Sequence, residues 1–230
     1  MDIETLAKRY TGSRAKRYEE QRVGSAKWKR EQGTVETMLA RLERGAKVLD
    51  VPVGTGRFIE SYKRFELRAT GVDASSDMLE EARKKASALD CDIALEQGSI
   101  FGLDFEDGCF DAVVCTRFLN WVAGEELAVA IGELARVTRE HLIIGVREFV
   151  PLRDMAVYTP AGCVRLARQC LARLRGSGEA GLAVHRRHLL GSLFGRFRLD
   201  VAEAQRVEAR VDGTEYVVYL LRRRPERGGA

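Results

Sequence analysis

The chain has 230 residues and a formal net charge of +4, with 45% hydrophobic and 31% charged residues. This length favours one sizeable α/β domain over two, and the composition excludes a disordered chain. No apolar stretch is long enough to span a bilayer, and the first residues lack a signal-peptide pattern. Five scattered cysteines form neither a CxxC pair nor a zinc-ligand spacing. We therefore expect a cytoplasmic protein with neither a disulfide framework nor a metal site.

The charge is distributed unevenly along the chain. Residues 1–34 carry nine Lys and Arg against five Asp and Glu, residues 35–146 carry thirteen against twenty, and residues 147–198 carry ten against three. An acidic middle of net charge −7 therefore lies between basic stretches of +4 and +7. This asymmetry excludes a uniformly basic nucleic-acid coat and leaves an anionic ligand open.

Residues 1–44 have the pattern of short polar helices, and from residue 45 short apolar runs alternate with helical periodicity. Ser75 or Ser76 is predicted to cap one of the helices. Strands are predicted at 47–51, 69–73, 92–98, 110–116 and 141–146, and helices at 58–65, 76–89 and 125–138. Strands that alternate with helices predict parallel βαβ units, with helices on both faces of the sheet.

After Pro151 this alternation ends. A basic helix at 161–174 and a helical segment at 188–194 are predicted first, followed by two strands at 197–207 and 216–221. A turn at 211–214 would join these strands as an antiparallel hairpin. The chain is thus predicted to be a single domain over 1–230, with four segments: a helical lid at 1–44, a core at 45–146, a basic insert at 147–195 and the hairpin at 196–224.

A glycine-rich turn follows the first predicted strand, over residues 50–56, and opens a helix. Gly54 and Gly56 permit a tight turn and a close approach of the backbone to a ligand. Asp73 ends the second strand, where a carboxylate is placed to accept hydrogen bonds from a ribose diol. The turn is not a P-loop because no Gly-Lys-Ser/Thr follows, and Pro52 breaks the full G-x-G-x-x-G spacing.

Four segments in register, 48–56, 71–79, 97–100 and 110–114, resemble the class I S-adenosylmethionine-dependent methyltransferases. The resemblance covers residues 45–147. It is strongest to the small-molecule branch related to the ubiquinone and menaquinone C-methyltransferases (methyltransferase type 11). It implies an α/β, Rossmann-like, doubly wound fold with a seven-stranded, mostly parallel sheet. It also implies S-adenosyl-L-methionine as cofactor, S-adenosyl-L-homocysteine as product, and a cofactor-binding role for the core.

The same resemblance implies roles for individual residues. The turn residues would contact the methionine end of the cofactor, the acid after the second strand would bind the ribose hydroxyls, and the residues after the second and third strands would line the adenine pocket. Ser99 stands where the family commonly has Asp, and Pro52 replaces the commoner first glycine. The implied cofactor-binding residues are Trp28, Asp50, Gly54, Thr55, Gly56, Asp73, Ala74, Met78, Ser99, Ile100, Cys115 and Arg117.

Purely structural roles are open for several of these residues. Asp50 and Asp73 have the alternative of capping helices, and Cys115 is better interpreted as a small buried residue than as a nucleophile. Trp28, with Lys29 and Arg30, resembles a Trp-basic stretch near the cofactor carboxylate, or else forms a solvated helical face. Phe118 and Trp121 are candidates for lining the acceptor site or for the core. His185 and His188 are interpreted as surface groups rather than as a general base.

Methyl transfer from a sulfonium requires alignment and exclusion of water, and it requires a base only when the acceptor must lose a proton. The sequence therefore assigns no catalytic residue. The candidates are Arg117, Asn120, Glu148, His185 and His188. The expected acceptor is a small molecule with a carboxylate or phosphate group, bound by residues 1–34 and by the basic insert with Arg165, Arg168 and Arg173. The protein is expected to be a monomer or a homodimer.

Three alternatives are open at this point. The basic flanks favour an RNA methyltransferase, but no appended RNA-binding module or RNP-like aromatic pair accompanies them. A non-catalytic cofactor-binding partner subunit is a second alternative, against which the intact glycine turn and Asp73 argue. An aminopropyltransferase on the same fold is the third, and it lacks a paired acidic polyamine site.

Overall fold

The computed structural model describes residues 24–149, 183–209 and 214–225. The predicted basic helix at 161–174, most of the predicted turn at 211–214, and Arg165, Arg168 and Arg173 lie outside these residues. The helices are α1 (Ala26–Leu39), α2 (Ile59–Arg64), α3 (Ser76–Ala88), α4 (Gly124–Val137) and α5 (Arg187–Arg196), with a 3₁₀ turn at Leu119–Trp121. The strands are β1 (Lys47–Asp50), β2 (Arg68–Asp73), β3 (Ala94–Gln97), β4 (Phe110–Cys115), β5 (Thr138–Phe149), β6 (His185–Arg186), β7 (Leu199–Ala209) and β8 (Thr214–Arg223).

The described strands form one eight-stranded sheet in the order β3-β2-β1-β4-β5-β8-β7, with the short β6 pairing to β5. Strands β1 to β5 pair in parallel, whereas β8 is antiparallel to both β5 and β7. Asp50 lies opposite Gly71 of β2 and Val114 of β4, so the carboxyl ends of these three strands meet at one edge. The predicted α/β fold, with its mostly parallel sheet and antiparallel C-terminal hairpin, is confirmed, and the short β6 brings the described sheet to eight strands where seven were expected.

Apolar side chains of helices cover both faces of the sheet. On one face, Ile131 of α4 and Leu190 of α5 pack in a buried cluster with Ile144 of β5. On the other face, Val35 of α1 packs in a second cluster with Ile143 of β5. Because successive side chains of a strand point to opposite faces, Ile143 and Ile144 serve different layers. None of the helices within the described residues combines the length and apolar character that crossing a membrane requires.

Two departures from the predicted strands, in β5 and β6, have a physical reason. β5 extends to Phe149, past the predicted end at residue 146, because β8 pairs with it along residues 141–149. The two-residue β6 was not predicted, since it forms by pairing with Glu148 and Phe149 at the far end of β5. Local sequence carries no signal for pairing of this kind.

Gly145 permits a close approach between the backbone of β5 and the side chain of Tyr216 in the neighbouring strand β8. A Cβ atom on Gly145 would lie 2.1 Å from the Tyr216 hydroxyl oxygen. Tyr216 is buried, and its hydroxyl accepts a hydrogen bond of 3.2 Å from the backbone N–H of Arg117, just beyond β4. The missing side chain at position 145 therefore allows Tyr216 to support the loop that follows β4.

We predict that Gly145→Ala lowers the free energy of unfolding by about 1–3 kcal/mol, the cost typical of overpacking a well-filled core. The matched control is Gly191→Ala on α5, where a Cβ meets nothing within 4 Å. That substitution is expected to raise stability by about 0.5–1 kcal/mol because glycine weakens a helix interior. Urea unfolding of the three proteins measures both effects, and equal stability of Gly145→Ala and wild type would contradict the prediction.

Candidate functional site

A cleft opens at the edge of the sheet where the carboxyl ends of β1, β2 and β4 meet. In an open α/β sheet this edge is the usual ligand-binding position. Nine of the twelve residues that the sequence predicted to bind a cofactor line this cleft, namely Trp28, Gly54, Thr55, Asp73, Ala74, Met78, Ser99, Ile100 and Arg117. Residues from separate parts of the chain thus meet in one place.

The other three predicted residues, Asp50, Gly56 and Cys115, lie behind the lining. Gly56 has a left-handed φ of 76°, and a Cβ there would lie 2.3 Å from the Ile59 side chain, so the turn requires glycine. Cys115 is fully buried at the end of β4, and this burial raises the pKa of its thiol far above the usual range. Cys115 is therefore a neutral core residue rather than a nucleophile, in line with the structural alternative.

Asp73 connects the turn after β1 to the turn after β2. Its Oδ2 atom accepts a 2.9 Å hydrogen bond from Gly54 N–H, and its Oδ1 atom accepts one of 2.9 Å from Ser75 N–H. Ser75, rather than Asp73, is the N-cap of α3, since its hydroxyl accepts from Met78 N–H. Burial raises the pKa of Asp73, and the backbone donors oppose this rise. A carboxylate has about four lone-pair positions, so the backbone donors of Gly54, Ala74 and Ser75 leave room for a ligand hydroxyl.

Asp50 lies beneath the glycine-rich turn and is 2% exposed, and its Oδ2 atom has no hydrogen-bond partner. Burial raises the pKa of Asp50 to about 7; the Tyr62 hydroxyl opposes the rise and the negative charge of Asp73 adds to it. A buried carboxyl with an unsatisfied oxygen is costly, so the site favours a cationic or hydrogen-bond-donating group nearby.

The walls on the β3 side of the cleft are largely apolar. Met78 and Ile100 are both 4% exposed, which leaves little more than the surface that faces the cleft. The Ser99 hydroxyl accepts a hydrogen bond of 3.1 Å from the backbone N–H of Phe101. Ser99 can still donate its own proton to a ligand, which a carboxylate in the same place could not do.

On the opposite side, α1 delivers Trp28 and the buried Glu31 to the cleft. Glu31 Oε2 accepts hydrogen bonds from Arg57 Nη1 at 2.8 Å and from Arg117 Nε at 2.7 Å. The indole ring of Trp28 lies close to both guanidinium groups, 3.6 Å from the Arg57 Cζ atom and 4.8 Å from that of Arg117. Burial alone would raise the pKa of Glu31, but Arg117 and Arg57 hold it below its usual range.

Sequence reasoning missed Glu31 and Arg57. Glu31 belongs to a polar helix whose pattern gives no sign of a fully buried carboxylate, and the one signal for Arg57 in the sequence is its position directly after Gly56. For Trp28 the solvated-face interpretation is wrong, because the ring is 6% exposed and lines the cleft. Lys29 and Arg30 are exposed, as that interpretation predicted.

Of the five candidate catalytic residues, only Arg117 lines the described cleft. The surface interpretation is wrong for His185, which is 6% exposed with Nε2 2.7 Å from the Leu119 carbonyl oxygen, because β6 pairs with β5. It is correct for His188, which is exposed. Glu148 is buried and accepts hydrogen bonds from Tyr219 and Arg187, and Asn120 accepts one from the backbone N–H of Arg147.

Substitution of Glu31, which bridges Arg57 and Arg117, tests whether this ionic contact holds α1 in place. We predict that Glu31→Gln lowers the free energy of unfolding by about 3 kcal/mol or more, because it leaves two guanidinium groups without their buried counter-charge. Glu36→Gln on the same helix is the control, since the pair of Glu36 with Arg64 is half-exposed and is expected to contribute less than about 1 kcal/mol. Similar losses in the two variants, measured by denaturant unfolding, would contradict the account.

Comparison with known proteins shows that part of this chain is similar to methyltransferases. Residues 48–141 match the family described as methyltransferase domain. The chain is 42% identical to the demethylmenaquinone methyltransferase of Deinococcus radiodurans over 71 residues, 30% of each chain. It is 35% identical to that of Thermus thermophilus over 114 residues, 48% of this chain and 50% of the relative. It is 33% identical to the malonyl-[acyl-carrier protein] O-methyltransferase of Erwinia billingiae over 99 residues, 43% and 37% of the two chains. The chain thus spans half or less of the length of these curated relatives.

The fold is also found among solved structures. The magnesium protoporphyrin IX methyltransferase of Synechocystis PCC 6803, solved with bound S-adenosylhomocysteine, superposes with a TM-score of 0.72 at 17% identity. The match covers 97% of this chain and 100% of that one. Residues 48–141 are therefore similar in sequence to a methyltransferase domain, and the chain has the fold of the Synechocystis methyltransferase.

Proposed function

We propose that the protein transfers a methyl group from S-adenosyl-L-methionine to an O, N or C atom of a small molecule that carries a carboxylate or phosphate. The observation that carries this proposal is the arrangement around Asp73, which hydrogen-bonds the glycine-rich turn at Gly54 and lines a cleft with an apolar wall at Met78 and Ile100. This arrangement offers acceptors for a diol beside an apolar surface for a flat base.

The residues present fit the charged end of the cofactor as well. Asp50 supplies a buried, unsatisfied carboxyl oxygen beneath the turn, which suits the neighbourhood of an ammonium group. Arg57, which follows the turn and lines the cleft, suits a carboxylate. When bound, S-adenosylmethionine supplies a methyl group on a sulfonium, an already activated leaving group.

The chain contributes alignment and exclusion of water rather than proton transfer. Among the cleft-lining residues that the structure describes, the ionisable side chains are Arg57, Asp73 and Arg117. Asp73 is engaged with backbone donors, and the two guanidinium groups stay protonated near neutral pH. Phe118 and Trp121 line the same cleft and would shield the reacting atoms from solvent.

The distribution of charged residues along the chain indicates the class of the methyl acceptor. The relatives are named for demethylmenaquinone, malonyl-[acyl-carrier protein] and magnesium protoporphyrin IX, all acted on by methyltransferases of this kind. For this chain, the basic flanks 1–34 and 147–195 favour an anionic acceptor. The same proposal treats residues 45–146 as the cofactor-binding core of one domain, in a cytoplasmic monomer or homodimer.

Substitution of Asp73 tests the proposal. In Asp73→Asn one oxygen becomes an NH₂ group, which cannot accept from Gly54 or Ser75 N–H, or from a ribose hydroxyl. We expect calorimetry to show at least a tenfold weaker affinity for S-adenosylmethionine, about the loss of one charge-assisted hydrogen bond. The control is Asp92→Asn, at an exposed position outside the cleft, which should bind like the wild type. Absence of binding by the folded wild-type protein would exclude the proposed function.

Asp50 makes the cofactor affinity depend on pH. Its pKa is about 7 in the free protein, and only the ionised form attracts the cationic cofactor. Affinity for S-adenosylmethionine should therefore rise as the pH increases from about 5.5 to about 7, below the range of about 7.7–8.0 in which an α-amino group titrates. Asp50→Asn should show a flat profile over the same range. An affinity that falls or stays constant with pH in the wild-type protein would contradict this role of Asp50.

A further inference from the structure

A second group of charged side chains lies next to the cleft, on the side of α1 and the ends of β5 and β7. We call Lys27, Arg147 and Glu208 the Lys27–Arg147 cluster. A single carboxylate oxygen, Glu208 Oε2, lies 2.7 Å from Lys27 Nζ and 3.4 Å from Arg147 Nη2. Two cations thus share one oxygen at the carboxyl edge of the sheet.

Arg147 is held loosely for a buried cation. Its side chain is 5% exposed, its Nη1 atom lies 3.4 Å from the Thr214 hydroxyl, and its Nε atom is buried without a hydrogen-bond partner. A buried donor that makes no hydrogen bond costs free energy, and more so on a charged group. An anion with two oxygens would satisfy Nε and an adjacent Nη atom together, in the paired geometry that guanidinium groups favour.

Lys27 stands where a cation opposes helix stability. Lys27 lies in the first turn of α1, just after the N-cap Ser25. This first turn contains no acidic residue, so the positive end of the helix dipole faces Lys27 without a compensating negative charge. Burial lowers the pKa of Lys27, and the positive charges of Arg147 and Arg117 lower it further against the opposing effect of Glu208. The positive potential at this point favours an incoming negative charge.

One aromatic ring connects this cluster to the cleft. Lys27 Nζ lies 5.0 Å from the centroid of the Tyr216 ring, and the Tyr216 hydroxyl accepts from the backbone N–H of Arg117. Arg117 and Trp28, the residue next to Lys27, both line the cleft. Arg57, beside the glycine-rich turn, shares Glu31 with Arg117, whereas Lys27 of the cluster contacts the Tyr216 ring and Glu208.

We propose that Lys27 and Arg147, together with Arg117, bind the carboxylate or phosphate group of the methyl acceptor. This inference rests on the proposed function and assigns its acceptor specificity to named residues. Arg57 is left for the carboxylate of the cofactor. The acceptor would then lie across the cleft, with its anionic end at the cluster and its reactive atom towards Phe118 and Trp121.

The test uses benzoate as the anionic probe, benzamide as its neutral counterpart and inorganic phosphate as the alternative anion. Calorimetry measures the binding of each probe to the full chain saturated with S-adenosylhomocysteine. The variants are Lys27→Gln and Arg147→Gln. The controls are Lys29→Gln, exposed on the same helix, and Arg139→Gln, exposed on the same strand at the opposite edge of the sheet.

We expect benzoate or phosphate to bind the wild type while benzamide does not, and each cluster variant to weaken anion binding about tenfold, as the loss of a charge-assisted hydrogen bond implies. The control variants should bind like the wild type, and the affinity for S-adenosylhomocysteine should stay within about twofold in all of them. If Arg147→Gln fails to fold, Lys27→Gln decides, because its side chain is 24% exposed and is expected to tolerate the change.

Two results would overturn the inference. One is that benzoate, phosphate and benzamide are not distinguished, or that the cluster variants match the controls. The other is that the cluster variants weaken S-adenosylhomocysteine but not 5′-methylthioadenosine, which lacks the amino-acid carboxylate. The cluster would then hold the cofactor. A wild type that binds no S-adenosylhomocysteine defeats the proposed function instead, and anion binding compared between wild type and Lys27→Gln still decides the role of the cluster.

Discussion

The cleft depends on one buried oxygen atom, Glu31 Oε2. It joins Arg57, which follows the glycine-rich turn after β1, to Arg117, which follows β4, and so fixes α1 across the carboxyl ends of both strands. Because Glu31 is fully buried, neither guanidinium group has water as a substitute partner on that side. The ionic contact of Glu31 therefore positions Arg57 and Arg117 on this side of the cleft. As a consequence, the Trp28 ring is held against both guanidinium groups.

Negatively and positively charged side chains lie on different sides of the cleft. Asp50 and Asp73 lie under and beside the turns after β1 and β2, while Arg57 and Arg117 lie on the side of α1. This layout suits a ligand that is cationic at its centre and anionic at its end, such as the proposed S-adenosylmethionine. It also leaves the face towards Lys27 for a second anion. In the proposed reaction such a site would contribute alignment and exclusion of water, since methyl transfer from a sulfonium starts from an activated leaving group.

The sequence predicted those features that local pattern encodes. An apolar run that ends in an acid located β1 with Asp50 and β2 with Asp73, because the end of a buried parallel strand is visible in the chain itself. Contacts between distant segments were not predictable in this way. The charge split assigned the acceptor-binding cations to the flanks, yet Arg57 and Arg117 belong to the acidic segment 35–146. The resemblance implied a role for Arg117, but nothing in the sequence indicated that Glu31 would hold both guanidinium groups. The burial of His185 likewise follows from a two-residue strand pairing.

The chain contains two tryptophans, Trp28 and Trp121, and both line the cleft. Titration of the intact protein with S-adenosylmethionine, followed by tryptophan emission, therefore tests the central claim most directly. We predict a saturable change with a stoichiometry of one cofactor per chain, seen in both Trp28→Phe and Trp121→Phe, each of which retains one reporter. A folded protein whose emission does not change in either variant at saturating cofactor would contradict the assignment of this cleft as the cofactor site.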